Sequence, residues 1–527
     1  MTICAEKLEY ILRQVQKPAR YIGGEWNMSK KEHGSVDATM VLAFPDLYEV
    51  GMSNQGLKVL YEAVNSYPQF LLERVFAPAG DMDQLLRDNS IPLFALESKK
   101  SLTSFDLIGF SLQYELCYTN VLNMLDLAGI PLYSSDRGEK EPLIIGGGPC
   151  AFNPEPVAPF FDLLVIGEGE ETLISILTVL ARHKKQKSSK TELLHNLSNL
   201  QGVYIPQFYR PFYSGNTLQG MDIVAENAPA QIDKSTVRDL NTKVYPVKPV
   251  VPYMQVVHDR AAVEIFRGCA RGCRFCQAGV IFRPVRRRSS DVILQIVQSI
   301  IKTTGYDEIS FSSLSSTDYP HLEILLESLS NLYPGNILRC SLPSLRMDSY
   351  SVKLAETVHQ GRRSSLTFAP EAATERLRNV INKNISDAEI LSAITQAVKA
   401  GWQGFKLYFM IGLPTETEED VAAIADLCRQ IDKLNKGKGH KNVKITVSIS
   451  IFVPKAHTPF QWEPQLSREE IKKRLKIIQD GFQKLKNISI NWHDTEASFL
   501  EAVFARGDRR LAPVIERAWR TGCIFDG

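Results

Sequence analysis

From about residue 38 to 175 the chain alternates short, unbroken apolar runs with stretches whose apolar residues return at helical spacing. Met40-Val41-Leu42-Ala43-Phe44 reads as a buried strand and Leu57 to Val64 as a helix. Leu107-Ile108-Gly109-Phe110-Ser111 reads as a second buried strand, followed by a helix through Ala128. Leu143-Ile144-Ile145 and Leu163-Leu164-Val165-Ile166 read as further strands, each ending in glycines. Strands that are apolar on both faces and separated by helices predict a parallel sheet covered on both sides. The expectation is a doubly wound α/β domain with ligands at the carboxyl ends of its strands.

The same alternation returns from 261 to about 465. Its strand candidates are Ala262 to Phe266, Glu308 to Phe311, Ile337 to Ser341, Ser365 to Phe368, Gly404 to Met410 and Lys444 to Phe452. These β/α units predict a (β/α)6 partial barrel, short of an eight-fold one. Between the two regions, His183 to Lys190 reads as a solvated linker, and 200–260 as short bridging strands with Pro246, Pro249 and Pro252. Mixed-charge helices at 467–487 and 496–521 predict a C-terminal helical extension. The expected division is 1–37 (a helical lead-in), 38–182, 183–254, 255–465 and 466–527. Ile524-Phe525 near Gly527 fits a polypeptide that continues.

Composition narrows the classes. With 44% hydrophobic and 23% charged residues, disorder over most of the 527-residue chain is excluded. Lys plus Arg number 61 and Asp plus Glu 59, a net +2, unlike a protein that coats duplex DNA. No run approaches the roughly 18 apolar residues of a membrane helix, and charges through Met1 to Pro18 exclude a signal-peptide core. A cytoplasmic protein with no membrane partner is expected. The nine cysteines are scattered, which predicts reduced thiols, except that Cys269, Cys273 and Cys276 cluster.

That cluster lies in Arg267-Gly268-Cys269-Ala270-Arg271-Gly272-Cys273-Arg274-Phe275-Cys276. Structural zinc closes its shell with four ligands, yet the loop has no His and the nearest further cysteine is Cys340, on another strand. Ferredoxins also use four cysteines per cluster. Three local thiolates suit a cubane with one iron open to a ligand. Zinc completed from a distant residue, or unliganded cysteines, are the alternatives, and a Gly- and Arg-rich loop argues against both.

This CxxxCxxC loop, with Phe275 before its third cysteine, resembles the radical S-adenosylmethionine superfamily over roughly residues 255–465. The resemblance implies an oxygen-sensitive 4Fe-4S cluster on Cys269, Cys273 and Cys276, with S-adenosylmethionine chelated to its open iron. One electron from a reductant such as flavodoxin or ferredoxin would then yield a 5′-deoxyadenosyl radical. It also implies that Phe275, Ser312, Ser313, Arg346 and Glu371 surround S-adenosylmethionine. In that picture Ser312-Ser313 meet the methionine amine, Glu371 the ribose, and Arg346 or the run Arg283, Arg286, Arg287, Arg288 the carboxylate. Gly412-Leu413-Pro414-Thr415-Glu416-Thr417 resembles the family's turn after the fifth strand, with Thr415 as the expected helix cap.

The preceding α/β domain resembles the cobalamin-binding branch of this superfamily. The matching pieces are Pro45-Asp46, Ser111-Leu112, Gly146-Gly147-Gly148 and Gly167-Glu168-Gly169. Glycine admits backbone close to a large ring. No His stands in a D-x-H-x-x-G motif, so the resemblance implies a corrin without a His ligand, or a relic domain with none. Cys150 reads as an inert small residue in this loop. Pro454 to Trp462 resembles the matching segment of methylthiotransferases, with His457 read as structural, and Trp492-His493 is equally ambiguous.

The leading expectation is a cobalamin-dependent radical enzyme catalysing methyl transfer or rearrangement on a small molecule, peptide or RNA. A cobalamin-free RNA-modifying radical enzyme is the second reading, and a noncatalytic iron–sulfur protein that senses redox state or bridges partners is the third. Sulfur insertion is disfavoured because only Cys117 and Cys150 lie within 38–175, too few for a second cluster.

Overall fold

The computed structural model describes residues 2–343, 346–347, 365–436, 444–483, 485 and 487–526. The chain forms two compact units. The first comprises Met1–Arg238, Thr242–Asp259 and Gly507–Gly527, and the second Asp239–Asn241 and Arg260–Arg506.

The first unit is built on β1 (Ala38–Phe44), β2 (Phe70–Phe76), β3 (Leu107–Ser111), β4 (Leu143–Gly147), β5 (Leu163–Val165) and β6 (Val203–Tyr204). Every residue of β1, β2 and β3 is buried, which requires helices on both faces of the sheet. The order is β2-β1-β3-β4-β5-β6, parallel except for the antiparallel β6. Strand order reverses between β1 and β3, the point at which sheets of this kind bind ligands beyond their carboxyl ends.

Strand β2 has no counterpart in the sequence reading because Glu73 and Arg74 interrupt its apolar run. Both charges are buried with partners. Arg74 meets Glu25 at 3.0 Å and Glu97 at 2.6 Å, while Glu73 bonds His33 at 2.8 Å and Ser98 Oγ at 2.7 Å. The expected linker at 183–190 is also revised. Its first residues complete the helix Gly169–Gln186, which stops where Lys187 turns left-handed at φ 55°. Ser189 then caps the next helix, Lys190–Ser198. Beyond it β7 (Tyr209–Ser214) and β8 (Thr217–Ile223) form an antiparallel hairpin, one of the bridging elements expected there.

The second unit contains β9 (Ala261–Glu264), β10 (Phe266–Arg267), β11 (Arg286–Arg287), β12 (Glu308–Ser312), β13 (Arg339–Ser341), β14 (Leu366–Glu371), β15 (Gly404–Ile411), β16 (Lys444–Ile451) and β17 (Ile488–Trp492). Parallel sheets in the orders β13-β12-β9 and β14-β15-β16-β17 make the partial barrel. Along β15 burial alternates strictly, so Phe405, Leu407, Phe409 and Ile411 point into the core. The helical period expected between β13 and β14 falls on 348–364, outside the described residues.

The sequence reading expected six barrel strands, and β17 is an additional one, inside the stretch assigned to the helical extension. Its residues Ile488-Ser489-Ile490-Asn491-Trp492 do alternate, but only half-buried at a sheet edge. The extension also divides: Arg468–Phe482 and Thr495–Arg506 belong to the second unit, whereas Ala512–Arg520 belongs to the first. The expected continuous helix at 496–521 breaks around Gly507 and Asp508, where the Asp508 side chain accepts from Arg510 N and starts a new turn.

Residues 507–526 are fastened to the first unit along their length. Arg509 donates to Glu155 at 2.7 Å, Tyr204 Oη at 2.7 Å, Tyr209 O at 2.7 Å and Pro206 O at 2.9 Å. Trp519 Nε1 donates to Asn123 Oδ1 at 3.3 Å and Phe525 N to Asn120 Oδ1 at 2.8 Å, both on the helix Tyr118–Leu127 that follows β3. Removing one partner of a buried ion pair strands the other. Arg509→Ala should therefore destabilise the first unit by about 3 kcal/mol. Hydrogen exchange at the Val203–Tyr209 amides should quicken accordingly. Arg520→Ala, removing an exposed pair to Glu516, should stay within about 0.5 kcal/mol. Unchanged exchange in the Arg509 variant would remove the clasp from the account.

Candidate functional site

The cysteine loop leaves β10 and returns at β11, and the antiparallel pairs Phe266–Arg287 and Arg267–Arg286 close its base. Gly268 opens it with φ 87°. A Cβ there would stand 2.6 Å from Phe282 O and 2.7 Å from Pro284 O, so no other residue fits. Inside the loop, Arg286 donates to Pro284 O at 3.0 Å and Phe282 O at 3.1 Å, and Arg283 Nε to Cys269 O at 3.3 Å. Below it, Glu264 is gripped by Arg267 at 2.8 Å and Arg288 at 3.2 Å. Burial alone would raise the Glu264 carboxyl, yet these two guanidinium groups hold it below its ordinary range. Arg283, Arg286 and Arg288 thus build the loop itself.

Segments that follow the barrel strands hold the loop from outside. Arg271 Nε meets Asp318 Oδ2 at 2.9 Å, just after β12. Asn382 Nδ2 donates to Gly272 O at 2.9 Å and Arg274 N to Ile381 O at 3.0 Å. Gln277 donates to Ala456 O at 3.4 Å and Phe460 N to Arg274 O at 3.4 Å. Phe275 packs against the core cluster formed by Ala372, Leu377, Ile381, Leu413, Phe452 and Phe460.

The three thiols are half-buried. Cys276 Sγ accepts from Gly279 N at 3.3 Å and Cys269 Sγ from Arg271 N at 3.5 Å. Burial pushes the Cys273 and Cys276 thiols up. Lys383 and then Arg346 pull Cys273 back, while Glu371 and Cys269 push it further. Cys340 stands on β13, outside the loop and also half-buried, its thiol pushed up to about 12. Among the described residues no three His, Cys, Asp or Glu side chains close on a single ion. A cubane instead takes each thiolate at a separate corner.

Glu371 ends β14 at a register shift, with φ 67°. Burial raises its carboxyl and Lys383, at 3.4 Å, pulls it down. Ser312 ends β12 and its carbonyl accepts from Ile265 N at 3.1 Å, while Ser313 Oγ shares a hydrogen bond of 3.0 Å with Ser316. Arg346 donates to Lys383 O at 3.4 Å. Lys383 escaped the sequence reading; its signal is the turn Ile381-Asn382-Lys383-Asn384, where both asparagines adopt positive φ. The fully buried Arg378 closes this segment, donating to Ala372 O at 3.1 Å, Ala373 O at 2.8 Å and Ile385 O at 2.5 Å, with Asp387 as its counter-charge. The helix cap expected at Thr415 belongs to Thr417, whose hydroxyl accepts from Asp420 N at 3.4 Å. Thr415 instead has φ 66° and accepts from Arg376 at 3.2 Å. His457 is likewise left-handed, and its backbone N donates to Gln461 Oε1 at 3.0 Å.

In the first unit, Pro45 and Asp46 follow β1 while Ser111 and Leu112 lie at the end of β3, on either side of the point where strand order reverses. Asn120 donates to Pro45 O at 2.9 Å, Tyr114 Oη to Asp46 Oδ2 at 3.0 Å and Gln113 to Ser111 Oγ at 2.7 Å. The glycines have internal reasons as well. A Cβ on Gly148 would lie 2.6 Å from Leu112 O, and one on Gly167 2.3 Å from Ser235 O. Glu168 accepts from Val237 N at 2.7 Å, and Gly169 opens its helix against Leu60. Gly146 packs against Phe161, whereas at Gly147 a Cβ would meet nothing closer than 3.8 Å. Cys150 is buried, and its side chain hydrogen-bonds with that of Tyr118.

Two family models match the chain: "Radical SAM proteins, N-terminal" over residues 56–206 and "Radical SAM superfamily" over residues 263–428. An uncharacterized protein of Methanocaldococcus jannaschii is 26% identical over 489 residues, 90% of each chain. The radical S-adenosylmethionine methyltransferase TsrM of Kitasatospora setae, solved with tryptophan and an S-adenosylmethionine analogue, is 12% identical. It superposes with a TM-score of 0.53 over 91% of this chain and 99% of its own. The cobalamin-dependent S-adenosylmethionine radical enzyme OxsB is 14% identical, with a TM-score of 0.52 over 88% of this chain and 66% of its own. At such identities the superpositions speak for the fold, and the cysteine loop lies within the second family match. The chain is therefore an enzyme of the radical S-adenosylmethionine superfamily, with the fold of its cobalamin-binding branch.

Proposed function

We propose that the chain is a cobalamin-dependent radical S-adenosylmethionine methyltransferase. The observation that carries this reading is the loop of Cys269, Cys273 and Cys276, closed at its base by a ladder and gripped by segments that follow the barrel strands. A 4Fe-4S cluster on these thiolates, when bound, would supply the electron that cleaves S-adenosylmethionine, with cobalamin as the methyl carrier. The chain's own residues do the rest. Backbone N–H groups of Gly279 and Arg271 stabilise thiolate charge at Cys276 and Cys269. Phe275, packed on the core, offers a fixed apolar surface for an adenine. Glu371 can accept from ribose hydroxyls, and Arg346 can meet a carboxylate.

The donor set suits a cubane with a free corner, since the other cysteines of the barrel, Cys340 and Cys428, sit on β13 and on the helix Glu418–Lys436, with thiols that burial pushes up to about 12. In the first unit Asp46, Ser111, Gln113, Tyr114 and the open side of Gly147 gather at the carboxyl ends of β1, β3 and β4, where a bulky planar ligand would meet them. TsrM has been solved with cobalamin and a [4Fe-4S] cluster bound, which supports carrying both groups over to this chain.

Anaerobic reconstitution with iron and sulfide should give about four irons per chain in the wild type. The Cys269→Ala, Cys273→Ala and Cys276→Ala variants should each lose most of that iron and all S-adenosylmethionine cleavage, whereas Cys340→Ala and Cys428→Ala should keep both. Equal iron in all five variants would refute the ligand assignment. With hydroxocobalamin added, corrin absorption should survive desalting, and reduction should yield 5′-deoxyadenosine or S-adenosylhomocysteine. Cleavage with no retained corrin would favour a radical enzyme that modifies RNA without cobalamin.

A further inference from the structure

Lys383 lies outside the residues that the sequence reading gave to S-adenosylmethionine, yet it is fixed beside the loop with little freedom. The two residues before it grip the backbone on either side of Cys273: Asn382 donates to Gly272 O at 2.9 Å, and Ile381 O accepts from Arg274 N at 3.0 Å. The Lys383 N–H donates to Arg378 O at 2.8 Å, and its carbonyl accepts from Arg346 at 3.4 Å. Asn382 and Asn384, with φ 56° and 45°, set the turn, in a conformation asparagine tolerates better than most residues. The ammonium therefore projects from a turn bonded to both neighbours of a cluster cysteine, and it meets the Glu371 carboxylate at 3.4 Å.

We propose that Lys383 is a positioning residue that sets the reduction potential of the cluster held by Cys273, with Glu371 as the opposing charge beside it. The inference rests on the radical reading above. The physical argument is electrostatic. Reduction adds one electron, from an external flavodoxin- or ferredoxin-type donor, to a site already negative through its three thiolates. A fixed cation nearby favours the reduced state, and a fixed carboxylate disfavours it. Both groups are largely buried, where solvent screens charge weakly. Lys383 also belongs to the electrostatic surroundings of the Cys273 thiol.

The test is an electron-paramagnetic-resonance redox titration of the reconstituted enzyme without S-adenosylmethionine, together with iron analysis. Lys383→Met should lower the ratio of reduced to oxidised cluster about tenfold at a fixed potential, a midpoint about 59 mV more negative. Lys383→Arg keeps the charge and should stay close to wild type. Glu371→Gln removes the opposing charge and should move the midpoint the other way. A lost contact that merely loosened the loop would not shift the two variants in opposite directions.

Fully loaded Lys383→Met with an unmoved midpoint overturns the proposal, as does a shift of the same sign in Glu371→Gln. Should Lys383→Met fail to retain iron, Glu371→Gln decides: a more positive midpoint supports the assignment, and an unmoved or more negative one overturns it. A wild-type chain that takes up no iron and sulfide would instead sink the radical reading underneath.

Discussion

The architecture around the cysteines depends on one buried guanidinium. Arg378 is fully enclosed, and its donors reach both ends of the segment from Ala372 to Asp387. That segment begins one residue after Glu371, carries Leu377 and Ile381 of the cluster on which Phe275 packs, and contains the turn that grips the loop. A buried arginine is tolerated only when its donors are satisfied, and here backbone carbonyls and Asp387 satisfy them. The constraint converts a flexible crossover into a rigid bracket between the fourth barrel strand and the cysteines. Loop geometry is thus inherited from barrel packing, although its residues are mostly polar and half-exposed.

The first unit reaches the same end by other means. Its sheet is so thoroughly buried that hydrogen-bonding freedom survives only where the strands stop. At those stops the glycines serve two demands. Gly148 and Gly167 admit backbone from Leu112 and Ser235, which shapes the strand ends, while Gly147 leaves space open. Asp46 and Ser111 sit where strand order reverses, each already bonded to an aromatic or amide side chain from the segment after β3. A fold that collects polar groups at such a line can change ligands without changing its core.

Much of this was legible in the sequence because apolar runs without interruption leave little choice. Leu107–Ser111 formed over the residues read for it, and the three-thiol loop was found from spacing alone. The failures share a cause, which is that local pattern does not report distant partners. Phe70–Phe76 hid behind Glu73 and Arg74, whose partners Glu25, Glu97 and His33 lie more than twenty residues away in the chain. Ile488–Trp492 was overlooked because an edge strand with one exposed face is short and half polar. Thr415 and Thr417 are equally good caps on paper, and only the left-handed backbone at Thr415 separates them. Lys383 was invisible for the same reason: its place beside Cys273 is made by a turn more than a hundred residues away in sequence.

The return of residues 507–526 to the first unit has a consequence for the order in which the molecule is made. Everything from Arg260 to Arg506 must leave the ribosome before the first unit receives Arg509, Trp519 and Phe525. At about 5–20 residues per second, that interval lasts on the order of tens of seconds. During it the helix Tyr118–Leu127, buried along nearly its whole length in the finished protein, lacks part of its cover. The nascent first unit must wait in an unfinished state while the barrel is synthesised. A chain broken off inside the barrel never completes its own beginning, and exposes that helix to the proteases and chaperones that dispose of such fragments.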